Sequence, residues 1–423
     1  MLVLSRIEQN KEELTRLLKV KNFDAESYFE RLLLLDKERK SLQKENDDLL
    51  SESNRLSKEI GILFKNMEIA AADDIKARTI EIRELTRDNA AKMQDIQNSI
   101  HQLLLEIPNV PHISVKLGQD ATDNELIRQH GNLIEKGVLP HWDIASKTGI
   151  IDFETGTKIT GSGFPLYIGK GAKLQRALIN FFLDEAAKAG YTEVEVPVLV
   201  NEDSAYATGQ LPDKEGQMYH IGEDGLYLIP TAEVPLTNIY RDKILSLDDM
   251  PIKLCGYTPC FRREAGSYGK NVRGLNRLHQ FDKVEIVHIT RAELSYQSLD
   301  EMVVHVEQLI VKLGLPYRIV RLCGKDMSFA SALTYDFEVY SPAQKMWLEV
   351  SSVSNFETFQ SNRMKLRYKD ENGKTQLAHT LNGSALALPR IVATLLENFQ
   401  QDNAVIIPES LRAYTGFDQI EIS

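Results

Sequence analysis

Residues 261–285, FRREAGSYGKNVRGLNRLHQFDKVE, gather the side chains best suited to chemistry in this chain. Both ends of the stretch read as strands. Between them lies a basic, glycine-rich loop with Gly266, Gly269, Lys270, Arg273, Gly274 and Arg277. Alternate side chains of a strand share a face. Arg262 and Glu264 therefore point the same way on the first strand, and Phe281, Lys283 and Glu285 do so on the second. If the two strands pair, one sheet face carries an arginine, two carboxylates and an aromatic ring beneath a cationic loop. That set suits a purine, a phosphate and an ammonium group held close together. The plainer alternative is a hairpin whose charges are merely solvated.

Three shorter segments carry further polar groups at strand ends. In LIPTAEVPLTN, Thr231 and Glu233 follow a short apolar strand and read as a helix cap. In MWLEVSSVSN, Glu349 and Ser351 share a strand face and Ser352 does not, so only a bulge or a strand end could turn Ser352 toward Glu349. HTLNGSALALPRIVATLLEN reads as a strand, a turn of small residues and a helix that carries Arg390.

These segments need a scaffold, and the chain changes character near residue 108. Up to about residue 105, Gly61 is the lone glycine and proline is absent. Leucines stand at 35, 42, 49, 56 and 63, and a second seven-residue series runs through Ile75, Ile82, Asn89, Ile96 and Leu103. Thr79, Thr86, Met93 and Ile100 supply the partner positions of that second series. Two seams of period seven predict an antiparallel helical hairpin in coiled-coil packing, with its tip within 66–73. Each helix of about 38 residues would make a rod on the order of 55 Å long. Asn46, Ser53 and Asn89 interrupt the seams, at a cost in stability and a gain in register. Read alone, such a hairpin is a spacer or a dimerisation element. Pro108-Asn109-Val110-Pro111 ends it.

Beyond that punctuation, strands alternate with helices. Residues 171–189 read as an amphipathic helix with Leu174, Leu178, Phe181 or Phe182, and Leu183 toward a core. Gly190 stops it, and TEVEVPVLV alternates as a strand broken by Pro197.

Composition sets outer bounds. The chain has 423 residues, 43% hydrophobic and 26% charged, as in globular proteins of two domains. No run approaches the roughly 18 apolar residues of a membrane span, and the first residues turn charged too early for a secretory signal. Three cysteines without a CxxC pair indicate neither a disulfide framework nor a zinc knuckle, and predict a reduced, cytoplasmic protein. The net charge of -11 argues against indiscriminate coating of nucleic acid, while leaving room for local basic patches.

The 261–285 stretch resembles motif 2 of the class II aminoacyl-tRNA synthetases, and its wording resembles the seryl-tRNA synthetases in particular. The resemblance extends over essentially the whole chain. It implies an α+β fold: an antiparallel-sheet class II catalytic domain over 108–423, preceded over 1–107 by an antiparallel coiled-coil arm that binds tRNA. It implies ATP-dependent activation of L-serine to seryl-adenylate and transfer of the seryl group to tRNA(Ser). Whether tRNA(Sec) is charged as well stays open. Arg262 would bridge the α-phosphate and the serine carboxylate, Glu264 would accept from the adenine amino group, and Phe281 would stack on the ring. Arg277 and Arg390 would neutralise the distal phosphates, with Arg263, Val350 and Ser351 completing the ATP site. Thr231, Glu233, Glu285, Asn382 and Ser384 would meet serine, and Glu349 with Ser352 would hold magnesium. Arg262, Glu285 and Arg390 are the expected catalytic residues. The helix–strand–proline unit at 171–200 resembles motif 1 and implies a homodimer. Arg55, Lys58, Lys65, Lys76, Arg78 and Arg83 are the candidate phosphate contacts of the arm. Ala385, Pro389 and Asn271 depart from the usual family wording, and Ala385 would add a methyl near the serine site. Two other readings keep the fold: a paralogue that loads a carrier protein, which typically lacks the arm, and a scaffold without activity, whose motifs would be degraded.

Overall fold

The computed structural model describes residues 1–134, 137–264 and 273–422. Two compact units divide them. One holds Leu2–Lys19 and Phe23–Pro108; the other holds Met1, Val20–Asn22 and Asn109–Ser423.

The first unit is built from helices α1 (Leu4–Leu18), α2 (Glu26–Lys65) and α3 (Ile69–Glu106). Helices α2 and α3 form the expected antiparallel hairpin. Tyr28 donates to Glu106 at 2.9 Å at its base, Arg78 Nε meets Glu52 at 3.0 Å further out, and the tip falls at residues 66–68. Met67 takes a left-handed φ of 61° there, and the Glu68 N–H donates to the Leu63 carbonyl at 3.0 Å, closing α2 as such stops do. Leu56, Ile82, Ile96, Ile100 and Leu103 are buried, whereas Leu35, Leu42, Leu49 and Leu63 are half-buried. Two helices cannot enclose a seam from all sides, so a perfect heptad still leaves it partly wet. Asn89 is buried at the seam, and its Nδ2, like Asn46 Oδ1, has no hydrogen-bond partner.

The second unit is organised on a sheet of eight strands: β1 (Glu125–His130), β2 (Thr192–Glu193), β3 (Ile252–Phe261), β4 (Gln280–Thr290), β5 (Tyr317–Arg321), β6 (Leu333–Ser341), β7 (Met346–Glu357) and β8 (His379–Ala387). Their order is β1-β5-β6-β7-β8-β4-β3-β2. Neighbours are antiparallel except β2 and β3, which are parallel. Helices α4 (Lys170–Lys188), α6 (Ser295–Leu313) and α7 (Leu388–Asn398) share one core with this sheet. On α4, Leu174, Leu178, Phe181 and Phe182 are all buried, and Gly190 follows with a φ of 85°. The stretch after it is not one strand. Thr192–Glu193 pairs with β3, and Leu199–Asn201 joins a separate three-stranded sheet on the far side of Pro197.

Strand β4 sets the two faces. Val284 and Ile286 enter the core, so the alternate positions Phe281, Lys283 and Glu285 face the other way. Further along that second face, Val287 and Ile289 are covered by Ala232 and by Leu236 of the short helix α5 (Glu233–Asn238).

Candidate active site

Strands β3 and β4 pair as the motif requires, with Phe261 opposite Gln280, Cys260 opposite Phe281, Thr258 opposite Lys283 and Gly256 opposite Glu285. Gly266, Gly269, Lys270 and Asn271 of the intervening loop lie outside the described residues. On the outward face a polar cluster is sealed from solvent. Lys283 Nζ lies 2.5 Å from Glu285 Oε2 as an ion pair, without the alignment of a hydrogen bond. It also donates to Thr231 Oγ1 at 2.9 Å. That hydroxyl accepts from the Glu233 N–H at 3.2 Å. Gln360 Nε2 donates to Glu233 Oε1 at 2.6 Å, and Thr380 Oγ1 donates to Gln360 Oε1 at 2.7 Å. Glu233 and Glu285 are both buried; among the described residues Lys283 is the one cation paired with either carboxylate, and Arg262 acts on Glu233 without pairing with it. Burial pushes the Glu233 carboxyl up to about 7, and the charge of Glu285 adds to the effect. The cluster is short of one positive charge, and an ammonium group would supply it.

A cavity adjoins the cluster, lined by Arg262, Glu264, Arg277, Phe281, Lys283, Glu349, Val350, Ser351, Ser384 and Arg390 among others. The Arg262 guanidinium lies over the Phe281 ring, 5.4 Å from its centroid, and its Nε donates to the Pro230 carbonyl at 3.3 Å. Glu264 reaches the cavity by a different route from the expected one. Strand β3 ends at Phe261, and Glu264 has a left-handed φ of 48°, so a turn and not strand alternation aims it. There it pairs with Arg277 at 2.7 Å. Arg390 donates from Nε to the Asn276 carbonyl at 3.1 Å and from Nη1 to the Glu349 carbonyl at 2.6 Å. Arg263 stands apart, with its guanidinium over Tyr219.

The parity conflict on β7 has a structural answer. On β6, Asp336 and Glu338 are two residues apart and share a face. Their partners across the ladder are Ser352 and Glu349, because the register shifts and leaves Val350 as an extra residue. Glu349 and Ser352 therefore share a face although three residues separate them. Beside them, burial pushes Asp336 well above the usual carboxylate range, and the charge of Glu349 reinforces that. Asp336 Oδ1 has no hydrogen-bond partner.

A second irregularity corrects an expectation about β8. Lys283 faces Ala387 and Glu285 faces Ser384, so three steps on β8 span two on β4. Ser384 and Ala387 both line the cavity, and the methyl of Ala385 packs in the hydrophobic core instead of near a ligand. Thr380, Asn382 and Ser384 share the outward face by strand parity, with Asn382 between Val287 and Ser354. Ser351 Oγ donates to the Ser384 carbonyl at 2.5 Å. Pro389 is the second residue of α7 and lines the cavity. Two members of the cluster carry no role in the sequence reading. The parity of β4 puts Lys283 on the right face, but nothing in the sequence pairs it with Glu285. No sequence signal points to Gln360.

An antiparallel sheet bearing an arginine-rich hairpin and a strand–helix unit with Arg390 defines the class II aminoacyl-tRNA synthetase core. Residues 218–399 match the sequence model of the class II tRNA synthetase core domain (G, H, P, S and T), and residues 1–111 match that of the seryl-tRNA synthetase N-terminal domain. The chain is 47% identical to the serine–tRNA ligase of Salinibacter ruber over 99% of both chains, and 45% identical to that of Chlorobaculum parvum over the full length of both. The crystal structure of seryl-tRNA synthetase from Pyrococcus horikoshii complexed with ATP superposes with a TM-score of 0.94, at 32% identity and complete coverage of both chains. The chain belongs to the seryl-tRNA synthetase family, ligases that join serine to tRNA.

Proposed function

We propose that this chain activates L-serine with ATP and transfers the seryl group to tRNA(Ser), as a homodimer in the cytoplasm. The observation that carries this reading is the sealed Lys283–Glu285–Thr231–Glu233 cluster, one positive charge short, beside an arginine-lined cavity. A serine ammonium between Glu233 and Glu285 supplies the missing charge. Its carboxylate then points toward Arg262, whose fork also holds the α-phosphate. A carboxylate oxygen attacks the α-phosphorus, the bond to pyrophosphate breaks, and no covalent bond to the enzyme forms. Positioning and charge stabilisation do the chemistry. Thr231, Asn382 and Ser384 serve the serine side. Phe281 stacks the adenine, Glu264 accepts from its amino group, and Arg277 and Arg390 neutralise the distal phosphates. Val350 and Ser351 complete that wall.

Glu349 and Ser352 fit magnesium. They share a face next to Asp336, a carboxyl raised first by burial and then by the charge of Glu349, whose Oδ1 has no hydrogen-bond partner, and a cation is favoured there. Magnesium, when bound, offsets the charge of the ATP phosphates.

The ribose hydroxyl at the tRNA terminus then attacks the seryl carbonyl and AMP leaves. A second cavity of about 530 Å³ opens beyond the Glu264–Arg277 pair, with Trp142, Phe164, Arg273 and His279 in its wall. Aromatic faces beside arginines suit the single-stranded end of a tRNA. On the hairpin, Arg78 is tied to Glu52 and Glu81 and Lys76 to Asp73, while Arg55, Lys58, Lys65 and Arg83 are exposed. The last four are the better phosphate contacts. Among the described residues no helix is long and apolar enough to cross a membrane, and all three cysteines are free thiols. The test is ATP–pyrophosphate exchange without tRNA, with serine, threonine, alanine and glycine in parallel. Exchange with serine alone is expected; exchange with none overturns the reading.

A further inference from the structure

Glu397 is wholly buried, and among the described residues no lysine or arginine lies within ion-pair distance of it. Its partners are a histidine, a backbone amide and a serine. His141, equally buried, sits 2.8 Å from Glu397 Oε1 through Nδ1, and its backbone N–H donates to the same oxygen at 3.1 Å. Ser341 Oγ donates to Oε2. A buried carboxylate in this state is costly unless its partners are fixed, so the question is what the arrangement holds in place.

Two arms lead from Glu397 to the same piece of chain. Along the first, His141 Nε2 accepts from the Leu275 N–H at 2.9 Å. That contact assigns the tautomer: Nε2 is bare, and Nδ1 carries the proton that it donates to Glu397. Along the second, Gln344 Nε2 donates to Ser341 Oγ at 3.0 Å, and Asn276 Nδ2 donates to Gln344 Oε1 at 2.6 Å. Leu275 and Asn276 line the candidate nucleotide cavity together with Arg277. The Asn276 carbonyl accepts from Arg390 Nε at 3.1 Å. Arg390 and Glu397 are seven residues apart on α7 and so lie on one side of that helix. The approach is close: a Cβ on Gly274 would meet His141 Nε2 at 2.2 Å, and the φ of Gly274 is 66°.

We propose that His141 is a positioning residue for ATP, relaying the fixed place of Glu397 to the 275–277 wall of the cavity and through it to Arg390. It touches no substrate. Its imidazole is the spacer that lets a carboxylate on α7 hold a backbone amide at the foot of the motif 2 loop. The proposal rests on the ATP and serine assignments made above.

Two substitutions separate the relay from mere packing. In His141→Asn, the side-chain amide takes the place of Nδ1 and keeps the Glu397 contact, but it stops short of Leu275. In His141→Gln, the longer side chain brings an acceptor back to the Nε2 position. ATP–pyrophosphate exchange on the full chain reads the KM values for ATP and serine separately, with the melting temperature measured alongside. His141→Asn should raise the KM for ATP at least about tenfold and leave the KM for serine within about twofold. His141→Gln should recover most of the loss. An unchanged KM for ATP in folded His141→Asn overturns the relay, and so does an equal rise for both substrates. If His141→Asn does not fold, Gln344→Ala cuts the second arm at a half-buried position and should give the same ATP-selective defect; its absence overturns the proposal. Wild-type exchange runs as the reference. Failure there refutes the serine-activating reading itself and is thereby distinguished from failure of the relay.

Discussion

Lowering the pH from 8 to 6 should weaken serine binding about tenfold, with Glu233 as the cause. Its carboxyl titrates near 7 because it is buried and because Glu285 presents a second negative charge. An ammonium group binds the ionised form. With a pKa of about 7, roughly nine-tenths of the free enzyme has Glu233 ionised at pH 8 and roughly one-tenth at pH 6. The KM for serine should rise by that ratio. The assay is pyrophosphate exchange across this range at saturating ATP and constant ionic strength. Glu233→Gln should give a flat profile with a raised KM throughout. Lys283→Met removes a cation that holds Glu233 down, so the rise should begin at higher pH. Folding stability runs the opposite way. A carboxyl whose folded pKa exceeds its ordinary 4.5 contributes stability that is full below 4.5 and lost as pH climbs through 7, about 3 kcal/mol in all. Glu233→Gln should therefore melt higher than the wild type at pH 8. A wild-type serine KM that moves less than twofold between pH 6 and 8 would refute the assignment of Glu233 to the ammonium.

Three other perturbations address other parts of the molecule. Glu264→Ala removes the partner of Arg277 and the acceptor proposed for the adenine amino group, so the KM for ATP should rise about tenfold or more, as for a lost charge-assisted hydrogen bond, with the KM for serine unchanged in the exchange assay. Deleting residues 30–100 should leave serine-dependent exchange intact and abolish charging of tRNA(Ser); surviving charging would make the hairpin a spacer. His288 and His305 are buried neutral, pulled down chiefly by burial to about 3 and about 4. Their stabilising effect is present above pH 6.5 and lost as pH falls through the folded values, about 3 kcal/mol each by pH 4, and denaturant melts from pH 7 to 4 should show the loss shrink in His288→Gln.

The parts legible in the sequence were those with a period. Seven-residue spacing gave the hairpin and the place of its tip, and two-residue spacing put Phe281, Lys283 and Glu285 on one face of β4. What the sequence could not show were departures from period. One extra residue in β7 turns Ser352 to the side of Glu349, and a matching slip in β8 sends Ala385 into the core while Ser384 and Ala387 face the cavity. Neither bulge has a glycine or proline to mark it. Glu264 was placed in the cavity for a reason that does not hold, since it stands beyond the end of β3 in a left-handed turn. Neither Gln360 nor His141 had a role assigned to it, for a different reason. Each acts through contacts more than a hundred residues away in the chain, and a lone glutamine or histidine carries no local pattern that reveals such a partner.

With the serine ammonium placed between Glu233 and Glu285 as proposed, the single cation Lys283 would let the site distinguish an amino acid from its uncharged analogues before any contact with the side chain. Two buried glutamates without a lysine would repel each other; two glutamates with two lysines would need no ligand. One lysine leaves the cluster a single charge short, and Glu233 meets that deficit with a proton, as its elevated titration near 7 indicates. A serine ammonium and that proton are therefore alternatives. Binding near pH 7 must expel the proton, so serine association should acidify a weakly buffered solution, by up to one proton per site at pH 6 and by almost none at pH 8. An analogue without the amine leaves the proton in place and gains nothing from either carboxylate. On the proposed placement, discrimination for the ammonium comes from a charge the enzyme lacks, and the hydroxyl contacts have only to choose among amino acids.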